Sequence, residues 1–123
     1  LDTPSQPVVL VAEDEPHARR ALGELLGEVG TYQVRLAANA KEALELADAH
    51  RTQLRLLLTD LQLPGMSGAE LAAQLREEHP QLRVIFMSGR PQDSTAGELF
   101  IQKPLDLAAL DMLIERALSQ EPA

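Results

Sequence analysis

Apolar positions along the chain alternate between two periods. Residues 8–12 (VVLVA) form a short β-branched run of the kind that makes a buried strand. Pro16 suits a first helical turn, and Ala18, Leu22, Leu25, Leu26 and Val29 then recur at helical spacing until Gly30. Residues 32–37 alternate as a strand, with Gln33 and Arg35 making one face polar, which predicts an edge position. Asn39 and Glu42 form a capping pair for a helix whose apolar stripe is thin: Ala40, Ala43, Leu44 and Ala47. Residues 54–58 read LRLLL, a strand buried on both faces, as the centre of a parallel sheet requires. Pro64, Gly65 and Gly68 mark the loop that follows. Ser67 with Glu70 is a capping box opening a helix that carries Leu71, Ala72 and Leu75, and Pro80 ends it. Residues 82–87 and 98–102 give a fourth and fifth strand. Asp106 opens a last helix with Leu110, Leu113, Ile114, Ala117 and Leu118 on one face.

Strands alternating with helices through short links predict an α/β fold, a doubly wound five-stranded parallel sheet with helices on both faces. One crossover breaks the pattern. Only ten residues, 88–97, separate the fourth and fifth strands, and they include Gly89, Pro91 and Gly97 without an apolar stripe. The fourth helix is therefore expected to be shortened to about one turn or absent, with residues 90–96 mobile and dimerisation through a fourth-helix face lost. Output is then expected through that loop or through the first and last helices.

At 123 residues the chain is one domain by size. Residues 1–7 read as a linker or an added remnant, 8–120 as the domain and 121–123 as a tail. The absence of cysteine excludes disulfides and thiolate metal sites and fits a reducing compartment. A net charge of −8 argues against a phosphate backbone as ligand, and one Tyr with two Phe leaves few rings for stacking bases. No direct nucleic-acid partner is expected. Nor is membrane contact by this domain, because the apolar runs are strand-sized. The expected location is the cytoplasm, with tethering to a membrane sensor through a parent chain as a variant.

In a parallel sheet with right-handed crossovers the strand C-termini share one edge. Glu13 and Asp14 follow strand one, Asp60 ends strand three, Ser88 follows strand four, and Lys103 with Pro104 follows strand five. Taken singly, each has an ordinary explanation. First-turn acids favour a helix N-terminus, Asp caps turns, serine beside Gly89 makes turns, and lysine ends strands in solvent. Together at corresponding strand ends they make a different set. Neighbouring carboxylates repel unless a hard cation neutralises them, and oxygen-only ligands suit Mg²⁺. A carboxylate nucleophile, a point charge and a hydroxyl beside that cation are what transfer of a phosphoryl group needs.

Four motifs then become recognisable: VLVAEDEP at strand one, LLLTDLQLPGMSG around strand three, FMSG at strand four and FIQKP at strand five. Over residues 8–119 the chain resembles the receiver domain of two-component response regulators. The resemblance implies a flavodoxin-like strand order 2-1-3-4-5 and Asp60 as phosphoacceptor. It implies Mg²⁺, with Mn²⁺ as a substitute, bound by Asp14, Asp60 and the backbone carbonyl of Gln62. Glu13 stands where the family commonly has Asp, and is expected to reach the ion through water. Ser88 matches the switch hydroxyl, Phe100 the switch aromatic and Lys103 the family's lysine. Gln62 and Arg90, two residues beyond Asp60 and Ser88, are expected to tune dephosphorylation.

The implied donor is a phosphohistidine on a sensor histidine kinase or a histidine phosphotransfer domain, and the implied output is a switched surface for a downstream protein effector. Such a domain catalyses its own phosphorylation and dephosphorylation and is not a turnover enzyme. The parent is either a lone receiver or, as expected from the Pro-containing N-terminal segment, a hybrid histidine kinase. Three rivals remain at this point. A flavin binder would need a phosphate loop where the acidic triplet stands. An aspartate-nucleophile phosphatase would need a second acid two residues after Asp60, where Gln62 lies. A receiver-like module that accepts no phosphate is disfavoured by the intact Asp14, Asp60 and Lys103.

Overall fold

The computed structural model describes residues 6–90 and 99–119. Within them the chain runs β1 (Val8–Ala12), α1 (Pro16–Gly27), β2 (Gln33–Ala37), α2 (Ala40–Ala49), β3 (Leu54–Asp60), α3 (Gly68–Glu78), β4 (Arg83–Ser88), β5 (Leu99–Gln102) and α4 (Leu107–Ser119). All strand pairs are parallel, in the order β2-β1-β3-β4-β5. The flavodoxin-like order and the doubly wound sheet are thus observed. Residues 91–98, on which the expectation of a missing fourth helix and most of the expected mobile loop fall, lie outside the described residues.

Two cores form because strand side chains alternate between faces. Val8, Leu10, Leu57, Val84 and Phe86 pack against α2 and α3, whose buried faces are Ala40, Ala43 and Ala47, and Leu71, Ala72 and Leu75. Val9, Val11, Leu56, Leu58, Ile85 and Met87 pack against α1 and α4 through Leu22, Leu26, Leu110, Ile114 and Ala117. The leucine-rich strand is accordingly central, and β2 sits at an edge with mostly half-buried residues. Each fully buried leucine of this kind contributes about 1.5–3 kcal/mol.

The helix starts follow the sequence signals. Ser67 and Glu70 exchange both hydrogen bonds of a capping box, at 3.1 and 3.0 Å. Asn39 Oδ1 accepts from the Glu42 amide at 2.9 Å, while the Glu42 carboxylate reaches back to the amide of Ala38. Asp106 accepts from Ala108 and Ala109 at the start of α4. One helix departs from its pattern. α1 stops at Gly27 with Glu28 as its cap, so Val29 lies beyond the helix, and both Leu25 and Val29 are exposed. Apolar spacing there runs past the surface that β1 and β2 cover.

Candidate functional site

The parallel sheet delivers five short segments to one edge. Glu13 and Asp14 leave β1, Asp60 and Ser88 are the last residues of β3 and β4, and Lys103 follows β5 directly. The amide of Lys103 donates to the Ser88 carbonyl at 2.8 Å, and the Lys103-Pro104 peptide is cis. The amide of Leu61 donates to Met87 O at 2.9 Å, fixing the backbone just past Asp60.

Lys103 lies at the centre. Its Nζ donates to Asp60 Oδ2 at 2.6 Å and to Glu13 Oε1 at 2.7 Å. Glu13 is 1% exposed, and its other oxygen accepts from the Glu15 amide at 3.1 Å. Asp60 Oδ1 accepts from the Gln62 amide at 2.9 Å. Burial alone would lower the Lys103 pKa, but the hydrogen bonds and charges of Asp60 and Glu13 outweigh it, and the pKa is raised. Lys103 therefore stays a cation at neutral pH.

Glu13, Asp14 and Asp60 each offer a carboxylate oxygen within 4.8 Å of the others. Three hard oxygen donors against one ammonium fit a divalent cation that prefers oxygen ligands and keeps some of its waters. Asp14 is the exposed member, whereas both oxygens of Glu13 are already engaged.

The remaining residues singled out in the sequence lie close by along the chain. Ser88 is buried and its Oγ accepts from the amide of Arg90 at 3.1 Å. Gln62 and Arg90 are exposed. Phe100 is half-buried and packs on the core shared with α2 and α3. The sequence reading missed three features. The first is the Glu13–Lys103 pair, ninety positions apart in the chain. The second is Arg19, whose Nη1 donates to the carbonyls of Glu13 at 3.0 Å and Asp14 at 3.2 Å, pinning the acidic turn. A cation one turn into the helix after an acidic run is the signal that would have found it. The third is Gly68, read only as a loop marker: a Cβ there would collide with the carbonyl oxygen of Asp60. Its amide also donates to Leu61 O at 2.9 Å, so α3 begins hard against the end of β3.

Comparison with known proteins agrees with this geometry. Residues 9–115 match the family model of the response regulator receiver domain. The chain is 31% identical over an alignment of 127 positions to the sensor kinase CckA of Brucella abortus, covering 98% of this chain and 13% of that protein. It is 33% identical to the positive alginate biosynthesis regulatory protein of Pseudomonas aeruginosa, covering 94% of this chain and 44% of the relative. The chain thus spans less than half the length of either relative. Among solved structures, the receiver domain of NtrX from Brucella abortus superposes with a TM-score of 0.81 at 30% identity, over 92% of this chain and 99% of that one.

Proposed function

This chain belongs to the response regulator receiver domain family, whose members accept phosphoryl groups in two-component signalling, and on that premise we propose that Asp60 is its phosphoacceptor. The observation that carries the proposal is the Asp60 carboxylate at the end of the central strand, held by Lys103 at 2.6 Å beside the carboxylates of Glu13 and Asp14. The receiver unit spans residues 8–120.

The donor is a phosphohistidine of a sensor kinase or phosphotransfer protein. A carboxylate oxygen of Asp60 forms the new O–P bond as the P–N bond breaks, and the histidine nitrogen keeps the electron pair and takes up a proton from solvent. Lys103 orients the carboxylate and offsets charge on the incoming phosphoryl oxygens. Ser88 supplies a hydroxyl to the same group, and Phe100 changes its packing with it. Asp14, Asp60 and the Gln62 carbonyl would hold a Mg²⁺ or Mn²⁺, and Glu13 would act through water, a role supported by the engagement of both its oxygens. When bound, the cation supplies charge neutralisation to the carboxylates and to the phosphoryl oxygens. Water later hydrolyses the acyl phosphate, with Gln62 and Arg90 flanking its approach. The readout is a changed surface for a protein effector.

No helix among the described residues is long and apolar enough to cross a membrane. The proposal is tested by incubation with acetyl phosphate and Mg²⁺ followed by phosphate-affinity electrophoresis. The natural chain should shift in mobility and Asp60→Asn should not. An Asp60→Asn protein that shifts equally would remove Asp60 from the role.

A further inference from the structure

The opposite edge of the sheet carries a feature that phosphoryl transfer does not use. A half-enclosed cavity of about 560 Å³ lies where β3 and β4 begin, and Arg51, Arg55, His79 and Arg83 line it. Its apolar wall includes Leu82 and Leu118, and no carboxylate is among its lining residues. Three of the chain's eleven Lys and Arg residues thus meet in one concavity of a protein whose net charge is −8.

Their existing partners leave binding capacity. Arg83 is half-buried, and its guanidinium makes no hydrogen bond or ion pair among the described residues. Arg55 uses Nη1 alone, on the carbonyls of Thr52 at 3.1 Å and Leu54 at 3.2 Å. Arg51 touches Glu78 at 3.1 Å and Asp48 at 3.6 Å, but those side chains are well exposed. Pairs of that kind are weak and yield to a better anion.

We propose that this cavity binds an organic phosphate of about nucleotide size. Guanidinium forks match phosphate oxygens in bidentate fashion, and a phosphate offers enough oxygens for more than one of them. The leucine wall takes the apolar body, and the volume lies within the usual range for small-molecule sites. β3 runs seven residues from Leu54 to Asp60, so the cavity lies roughly 20 Å from the carboxylate edge at about 3.3 Å per residue. That separation exceeds the screening length of about 8 Å at physiological salt, so repulsion between the acidic edge and the ligand is weakened. Binding here is independent of phosphorylation.

The test is titration with ADP in metal-free buffer, followed by calorimetry and by backbone amide shifts. Saturable binding is expected, with shift changes at Arg51, Arg55, His79 and Arg83, and tighter binding than inorganic pyrophosphate. Arg83→Gln should weaken it by about tenfold, as for loss of one charge-assisted contact, while Arg83→Lys keeps part of it. Should Arg83→Gln lose its folded spectrum, Arg55→Gln carries the same expectation. Absence of saturation, or shifts confined to Glu13, Asp60 and Lys103, would overturn the proposal. So would pyrophosphate binding as tightly as ADP, or an acidic peptide moving the cavity resonances while ADP does not, which would make the cavity a protein-docking site. None of these outcomes depends on whether Asp60 is phosphorylated.

Discussion

Lys103 and Arg51 each bridge two carboxylates, at opposite edges of one sheet. Lys103 lies 2.7 Å from Glu13 and 2.6 Å from Asp60, and Arg51 lies 3.1 Å from Glu78 and 3.6 Å from Asp48. The difference between them is water. Side-chain exposure is 29%, 1% and 13% for the Lys103 group, against 59%, 65% and 73% for Arg51, Glu78 and Asp48. Where solvent is excluded, removing one charge strands the others in a poor medium. Where it is present, solvent replaces the lost partner. A parallel sheet makes the contrast possible because all strand C-termini emerge together and bring short loops into contact.

The largest expected effect comes from breaking the buried group. Lys103→Met leaves the Glu13 carboxylate buried without its cation, and should lower metal-free stability by about 3 kcal/mol in urea denaturation, the lower end for broken buried pairs because Lys103 is partly exposed. A loss below about 0.5 kcal/mol would place this group with ordinary surface pairs.

Next is the backbone contact that seats this edge. Gly68→Ala pushes a methyl group into the Asp60 carbonyl and should cost about 2 kcal/mol, read from the shift of the thermal midpoint. It should also slow phosphoryl uptake, because the end of β3 must move.

Alkaline titration sharpens the comparison further. The Lys103 pKa is raised from its ordinary 10.5: burial alone would lower it, and the Asp60 and Glu13 hydrogen bonds more than offset that. The resulting stability is fully present below the ordinary value and is lost as pH rises through the raised one. Tyr32 is raised from 10.0, first by burial and then by the charges of Asp111 and Glu115, and its contribution disappears in the same direction. Stability should therefore fall above about pH 10. Lys103→Met should remove one part of that fall and Tyr32→Phe the other. The Tyr32 hydroxyl is buried without a partner among the described residues, so Tyr32→Phe should be neutral or slightly stabilising at pH 7.

The smallest effect belongs to the exposed edge. Arg51→Ala should change stability by less than about 0.5 kcal/mol and show no alkaline signature. A larger loss would mean that the exposed pairs hold α2 and α3 together.

What was legible in the chain follows the physics of each part. Periodicity and capping residues are local, so the five strands, the position of LRLLL at the centre and the polar edge strand β2 could be read directly. The acidic and basic members of the carboxylate edge could be found because strand ends mark their places. The Glu13–Lys103 pair could not. Whether Glu13 faces a metal ion or the Lys103 ammonium depends on contacts across ninety positions, which no local spacing encodes. Gly68 was legible as a loop residue but not as a contact, since its neighbour is the backbone of Asp60 rather than any side chain. The basic cavity escaped for a similar reason: Arg51, Arg55 and Arg83 look like separate surface charges until β3 and β4 pair.

The central claim is that the carboxylate of Asp60 becomes an acyl phosphate. The most direct measurement is to phosphorylate the natural chain with acetyl phosphate, reduce it with borohydride, digest it with trypsin and sequence the peptides by mass spectrometry. Reduction converts a phosphorylated aspartate to homoserine. The tryptic peptide covering residues 56–76 contains one aspartate, Asp60, so the position is unambiguous. Homoserine at position 60 is the expected result. Homoserine at position 14 instead, or an unaltered 56–76 peptide from protein shown to carry phosphate, would contradict it.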